Sequence, residues 1–312
     1  MTKNEVCERM VLFALIPAVM FSSAARAAEV RLVCDLDYVG AGNPRQTLDL
    51  FLPVSPAAQA LPLVVYVHGG AWMNGDKQDV LWWLLPLVKE GKFAAATINY
   101  RLTDEAIWPA QIHDCKAAVR WLRAHAAEYG YNPDRIAVWG ASAGGHLVAM
   151  LGTTQGVEDM EGELGDYDDV SSAVTCVVDV FGPGDLLTMN DHPGSMDHNA
   201  PDSPESRLLG GPILENPEKA KQASPQTWVS KDDAPFLLLH GNQDDIVPYQ
   251  QSVEFEKALE KAGVPVVFIT VDGGGHGRGF GPDVRTSIQT FLAHHLLGAE
   301  ETVEDGTIKA DE

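Results

Sequence analysis

Gly140-Ala141-Ser142-Ala143-Gly144 follows the apolar run Arg135 to Trp139 and precedes Gly145 to Leu151, whose small and aliphatic residues suit a buried helix. A G-x-S-x-G pentapeptide between strand and helix reads as a nucleophile elbow, a sharp turn that lifts the serine clear of the sheet. Small neighbours permit the turn, and the free N–H groups of the helix start lie beside the hydroxyl. Ser142 is therefore the candidate nucleophile.

Upstream, Leu63 to Val67 is a short apolar run of the kind a buried parallel strand shows, and it ends in His68-Gly69-Gly70-Ala71-Trp72. Cleavage of an ester puts negative charge on its carbonyl oxygen, which N–H donors fixed in a low-dielectric pocket stabilise. Gly69 and Gly70, whose N–H groups no side chain blocks, are two candidate donors, and Ala143 is the third. Trp72, next to this loop, is the candidate for lining the acyl or alcohol pocket. Downstream, the run Pro235 to His240 leads into Gly241 to Pro248, where Asp244 or Asp245 stands within reach of a neighbouring loop. The strand-like Val264 to Val271 leads into Asp272-Gly273-Gly274-Gly275-His276-Gly277. A histidine among glycines buries nothing and caps nothing, so His276 reads as the general base. Serine, acid and histidine occur in the chain order that suits a doubly wound sheet.

Together with Asn99-Tyr100-Arg101-Leu102, Trp108 to Asp114 and Asn132 to Ile136, these segments resemble the α/β-hydrolase superfamily. More narrowly, they resemble the esterases grouped with hormone-sensitive lipase and the bacterial feruloyl and acetyl esterases. The resemblance runs from about Asp37 to Leu297 and implies a mostly parallel sheet of about eight strands covered by helices on both faces. By the H-G-x-x-D-x-x-V-P pattern it places the acid on Asp244, with Asp245 second. Ala71 stands where lipase relatives carry a third glycine, and the D-P-L-x-D context is absent. The resemblance thus favours short or aromatic acyl groups over lipids, with a small-molecule or carbohydrate-linked ester as substrate. An exopeptidase or acyltransferase would share the triad, and a non-catalytic binding protein would share the fold.

No cofactor is implied, since nucleophile, base and charge stabilisation all come from the chain. No Cys/His spacing suggests a metal; Asp191-His192 and Asp197-His198 read as solvated loop residues, and the acidic run Glu158 to Asp169 lacks a calcium-loop pattern. With 22 basic and 44 acidic residues the net charge is -22, which repels nucleic acid and anionic membrane surfaces.

Residues 1–27 read as a signal peptide. Lys3 and Arg9 precede the apolar Val11 to Phe21, and Ala25-Arg26-Ala27 offers a cleavage site after Ala27, so a secreted or periplasmic protein is expected. That run is short for a membrane span. Residues 28–298 form the catalytic domain. Within it Gly182 to Ser230, rich in proline and short polar residues, breaks the strand–helix alternation and is expected to shape the pocket. Residues 299–312 are acidic and expected to be disordered. Cys34, Cys115 and Cys176 are expected to be structural thiols.

Overall fold

The computed structural model describes residues 29–54, 59–79, 81–192 and 194–311. The expected signal peptide and its cleavage site lie outside them. Among the described residues one sheet of nine strands runs in the order β1-β2-β4-β3-β5-β6-β7-β8-β9. The strands are β1 (Val30–Asp37), β2 (Thr47–Pro53), β3 (Leu61–Val67), β4 (Ala94–Ile98), β5 (Tyr131–Ala141), β6 (Cys176–Val180), β7 (Phe236–Gly241), β8 (Val266–Asp272) and β9 (Gly306–Lys309). β2 pairs antiparallel with β1 and β4, and every pairing from β4 to β9 is parallel.

Parallel strands are buried on both faces because helices cover both. On β3, Leu63, Val65 and Val67 join one hydrophobic cluster while Val64 and Tyr66 join the other, so the alternation of side chains splits the core in two. The first cluster takes in residues of α2 (Ala110–Ala124), α4 (Ala143–Thr153) and α9 (Gln250–Ala262). The second takes in α1 (Leu81–Lys89) and α10 (Pro282–Leu297). The chain leaves α2 at His125 and turns helical again as α3 (Ala126–Tyr129). Among the described residues no helix is long and apolar enough to cross a membrane.

Chain order doubles back between β3 and β5, and the loops leaving their carboxyl ends diverge there to open a crevice. The glycine loop follows β3 and the Ser142 turn follows β5, so both border this crevice. An ion pair secures the segment behind it. Arg101 grips the fully buried Asp114 of α2 through Nη2 at 2.8 Å and Nε at 2.9 Å, and Gln46 donates to the same carboxylate at 2.8 Å.

Beyond α5 (Glu158–Glu161), Gly182 to Ser230 carries the short helices α6 (Pro204–Leu209), α7 (Pro217–Gln222) and α8 (Pro225–Trp228). Two expectations need correction. His198 is not solvated: it is 2% exposed and its Nδ1 lies 3.0 Å from a carboxylate oxygen of the equally buried Glu205, the second residue of α6. The C-terminal segment is not frayed either. Gly306–Lys309 completes the sheet edge beside β8, where Phe268 donates to Asp305 at 2.8 Å and Ala310 to Asp272 at 2.9 Å. The open edge of β8 offered unpaired backbone groups, and Ile308 packs against the second core cluster; neither is visible in the acidity of the tail. This strand also raises the count above the expected eight.

Candidate active site

Ser142 joins β5 to α4 at φ 57° and ψ -124°, a left-handed conformation that a non-glycine residue holds only at a cost of about 1–3 kcal/mol. Its neighbours explain how the turn closes. A Cβ on Gly140 would stand 2.2 Å from the Gly144 carbonyl oxygen, and one on Gly144 would stand 2.1 Å from that of Val67. Both positions therefore require glycine. Ser142 donates its N–H to Val180 O at 2.9 Å, which ties the turn to the end of β6.

Nε2 of His276 lies 3.0 Å from Ser142 Oγ, and its Nδ1 lies 2.7 Å from Asp244 Oδ2. Because Nδ1 faces a carboxylate it carries the proton, which leaves Nε2 as an acceptor aimed at the serine hydroxyl. Asp244 Oδ1 accepts N–H bonds from Ile246 at 2.9 Å and Val247 at 3.0 Å. Burial opposes ionisation of Asp244, but the His240 and His276 N–H groups outweigh it and hold the carboxyl well below the usual carboxylate range. Asp245 is exposed and points its backbone carbonyl to Ser195 instead. Of the two aspartates the sequence left open, Asp244 is the one that reaches His276.

Gly69 packs against the turn: a Cβ there would lie 2.7 Å from Ala141 O and 3.4 Å from Ser142 Cβ. Gly70 adopts φ 107° with Asn74 O in the space a Cβ would need. His68 shapes this loop by donating from Nδ1 to Gly69 O at 2.7 Å, while Tyr100 stacks on its ring and donates to its carbonyl at 3.0 Å. Burial pushes the His68 imidazole pKa down, which favours the neutral ring. Ala143 opens α4 directly after Ser142, so its backbone N–H belongs to the free first turn of that helix. Gly69 and Ala143 thus adjoin Ser142, and Gly70 follows Gly69 in the same loop.

Trp72 is not in the crevice. It is 2% exposed, buried in the first core cluster, and its Nε1–H donates to His146 Nδ1 at 3.2 Å. The apolar ring follows a loop that turns inward at Ala71 and Trp72, both at positive φ. A cavity of 420 Å³ beside the loop is lined instead by Tyr66, His68, Gly69, Gly70, Gly75, Asp79 and Trp83. Trp83 meets Trp139 edge-on, and the Arg285 guanidinium lies 5.3 Å from its ring centre. Neither that cavity nor a larger hollow of 760 Å³, bordered by Arg101, Ile107, Trp108 and His113, is lined by Ser142, Asp244 or His276.

Phe181 was not apparent in the sequence as a site residue. It follows β6 directly at φ 44° and sets its ring 4.6 Å from that of His276. His240, four residues before Asp244, also touches the carboxylate, and that spacing within His240-Gly241-x-x-Asp244 was its only sequence signal. Among the described residues no cluster of His, Cys, Asp and Glu is arranged to hold a metal.

The BD-FAE family model matches residues 48–259, from β2 to α9, and so includes the glycine loop, the Ser142 turn and Asp244. The chain belongs to the BD-FAE family. A TAP-like protein model also matches residues 215–305, which carry Asp244 and His276. A solved truncated form of a carbohydrate esterase from gut microbiota is 34% identical, with a TM-score of 0.80 over 88% of this chain and 99% of that one. Esterase LipC of Mycobacterium tuberculosis is 31% identical over 240 residues, 75% of this chain and 57% of its own length. Esterase LipQ of the same organism is 32% identical over 236 residues, 75% of this chain and 54% of its own. The chain thus spans little over half the length of these two curated relatives. The fold is that of the α/β hydrolases, as the resemblance implied.

Proposed function

We propose that this family member is a carboxylic-ester hydrolase that works through an acyl-enzyme on Ser142. The observation that carries the reading is the chain of contacts from Ser142 Oγ through His276 to Asp244, at 3.0 and 2.7 Å. His276 Nε2 takes the hydroxyl proton as Oγ attacks the ester carbonyl, and Asp244 stabilises the imidazolium that forms. The N–H groups of Gly69, Gly70 and Ala143 hold the oxyanion. The imidazolium then protonates the leaving alkoxide. Water, deprotonated in turn by His276, releases the acid and restores Ser142.

The acyl group is short or aromatic, of acetyl or feruloyl type, and the alcohol is small or carbohydrate-linked. The cavity beside Gly69 and Gly70 supports this, because the Trp83 ring suits a flat acyl group or a sugar face while Tyr66 and Asp79 suit hydroxyls. The carbohydrate-esterase relative supports it too. Export after cleavage at Ala27 belongs to the same reading, and N-terminal sequencing of the secreted protein tests it.

The test is hydrolysis of p-nitrophenyl esters from acetate to palmitate, beside a feruloyl ester and acetylated xylan. Fast turnover of the short chains, abolished in Ser142→Ala, is expected. Equal rates for wild type and variant on every ester contradict the proposal.

A further inference from the structure

His240, the penultimate residue of β7, is fully buried and approaches the same carboxylate oxygen of Asp244 as His276 does. Its Nε2 lies 3.3 Å from Asp244 Oδ2 and 3.0 Å from Val247 O. Both are acceptors, so Nε2 carries a proton. Its Nδ1 lies 2.7 Å from Oγ of the buried Ser252 on α9, which in the neutral ring donates its hydroxyl proton there. Tyr249 meets the ring edge-on at 5.7 Å with its own hydroxyl engaged by Thr270, and Phe181 covers another side at 6.3 Å. Asp244, with His276 beyond it, is the charged neighbour these contacts leave.

Oδ2 of Asp244 thus accepts the His276 Nδ1–H and lies 3.3 Å from His240 Nε2, whose proton it shares with Val247 O, while Oδ1 is occupied by the amides of Ile246 and Val247. We propose that His240 is a positioning residue of the reaction: by sharing Oδ2 with His276 it fixes the direction of that oxygen and limits how strongly it holds the His276 proton. This rests on the reading of Ser142, His276 and Asp244 as the reacting triad. The ring at 240 never meets substrate. It acts through Asp244, and its own orientation is set from α9 by Ser252.

A carboxylate oxygen that loses one of two donors becomes a stronger partner for the other, so the remaining imidazolium is stabilised and gives up its proton at higher pH. The oxygen also becomes free to swing, which lowers the fraction of His276 oriented for attack.

The test compares His240→Leu, which has no donor, with His240→Gln, whose amide N–H falls at the Nε2 position. In the intact chain the pH titration of the His276 ring protons is followed by NMR, together with kcat and KM for p-nitrophenyl acetate. In the Leu variant the His276 midpoint is expected to rise by about 0.5 unit and kcat to fall about 10- to 100-fold with KM nearly unchanged. The Gln variant is expected to recover most of both. His240→Asn, whose amide reaches only as far as Nδ1, replaces Leu in the comparison if Leu prevents folding. An unmoved midpoint in the donor-less variant, or a Gln variant no better than it, overturns the proposal. A wild-type chain that turns over no ester overturns the hydrolase reading instead, while the His276 titration still decides the role of His240.

Discussion

Trp72 Nε1 donates to His146 Nδ1 at 3.2 Å, and the same imidazole donates its Nε2–H to Ala223 O at 2.6 Å. One ring thereby links the glycine loop, the helix that starts at Ser142 and the irregular segment Gly182 to Ser230. Trp72→Phe would keep most of the buried area but leave Nδ1 unpaired inside the protein. Denaturant unfolding is expected to show a loss of about 1–3 kcal/mol.

His146 also sets a pH dependence. Burial lowers its pKa from 6.5 to about 4, against a smaller opposing effect of the Ala223 carbonyl. The unfolded chain then binds the proton more tightly than the folded one. Stability from this residue is complete above pH 6.5 and is lost as pH falls toward 4. In His146→Gln the loss of stability between pH 7 and 4.5 should shrink by about 2–3 kcal/mol, read from unfolding curves at the two values.

Asp179 works in the opposite sense. It is fully buried, its Oδ1 accepts from Gly182 N at 2.9 Å, and its Oδ2 has no hydrogen-bond partner. Burial raises its pKa to about 7, so stability is fully present below its unfolded value of 3.8 and is lost as pH rises toward 7. Asp179→Asn keeps the acceptor and removes the charge. It is expected to match wild type near pH 4 and to exceed it above pH 7, by at most about 4 kcal/mol. A melting temperature measured across that range checks both ends.

Gly144→Ala should couple stability to activity. The new Cβ would meet the carbonyl oxygens of Val67 and His68 at 2.1 and 2.7 Å, so the glycine loop and the Ser142 turn must part. Because the proposed oxyanion donors sit on those two segments, kcat is expected to fall by about 10²-fold or more in whatever fraction folds. Circular dichroism alongside kinetics separates the two effects.

The parts of the site legible in the sequence were those with local signatures. Ser142 sits in a turn that only a particular glycine spacing allows, and His276 sits where no packing role exists, so each was identifiable from its own neighbours. The acid was ambiguous because Asp244 and Asp245 are equivalent in composition. Their difference is rotational, one side chain facing inward to His276 and the next outward. Trp72 was misplaced because a large ring beside a functional loop reads alike whether it faces the crevice or the core; the positive φ at residues 71 and 72 that turns it inward leaves no mark in its identity. Phe181 and His240 act through tertiary contacts to His276 and Asp244. The edge strand Gly306–Lys309 was hidden for a related reason: its pairing is supplied by β8, not by its own hydrophobicity.

The proposed reaction requires that His276 make Ser142 nucleophilic. Treating the protein with a fluorophosphonate and mapping the adduct by mass spectrometry tests it most directly, with His276→Ala in parallel. One covalent adduct on Ser142, formed rapidly in wild type and lost in the variant, is the predicted result. No adduct, or one carried by another residue at an unchanged rate in His276→Ala, would contradict the account.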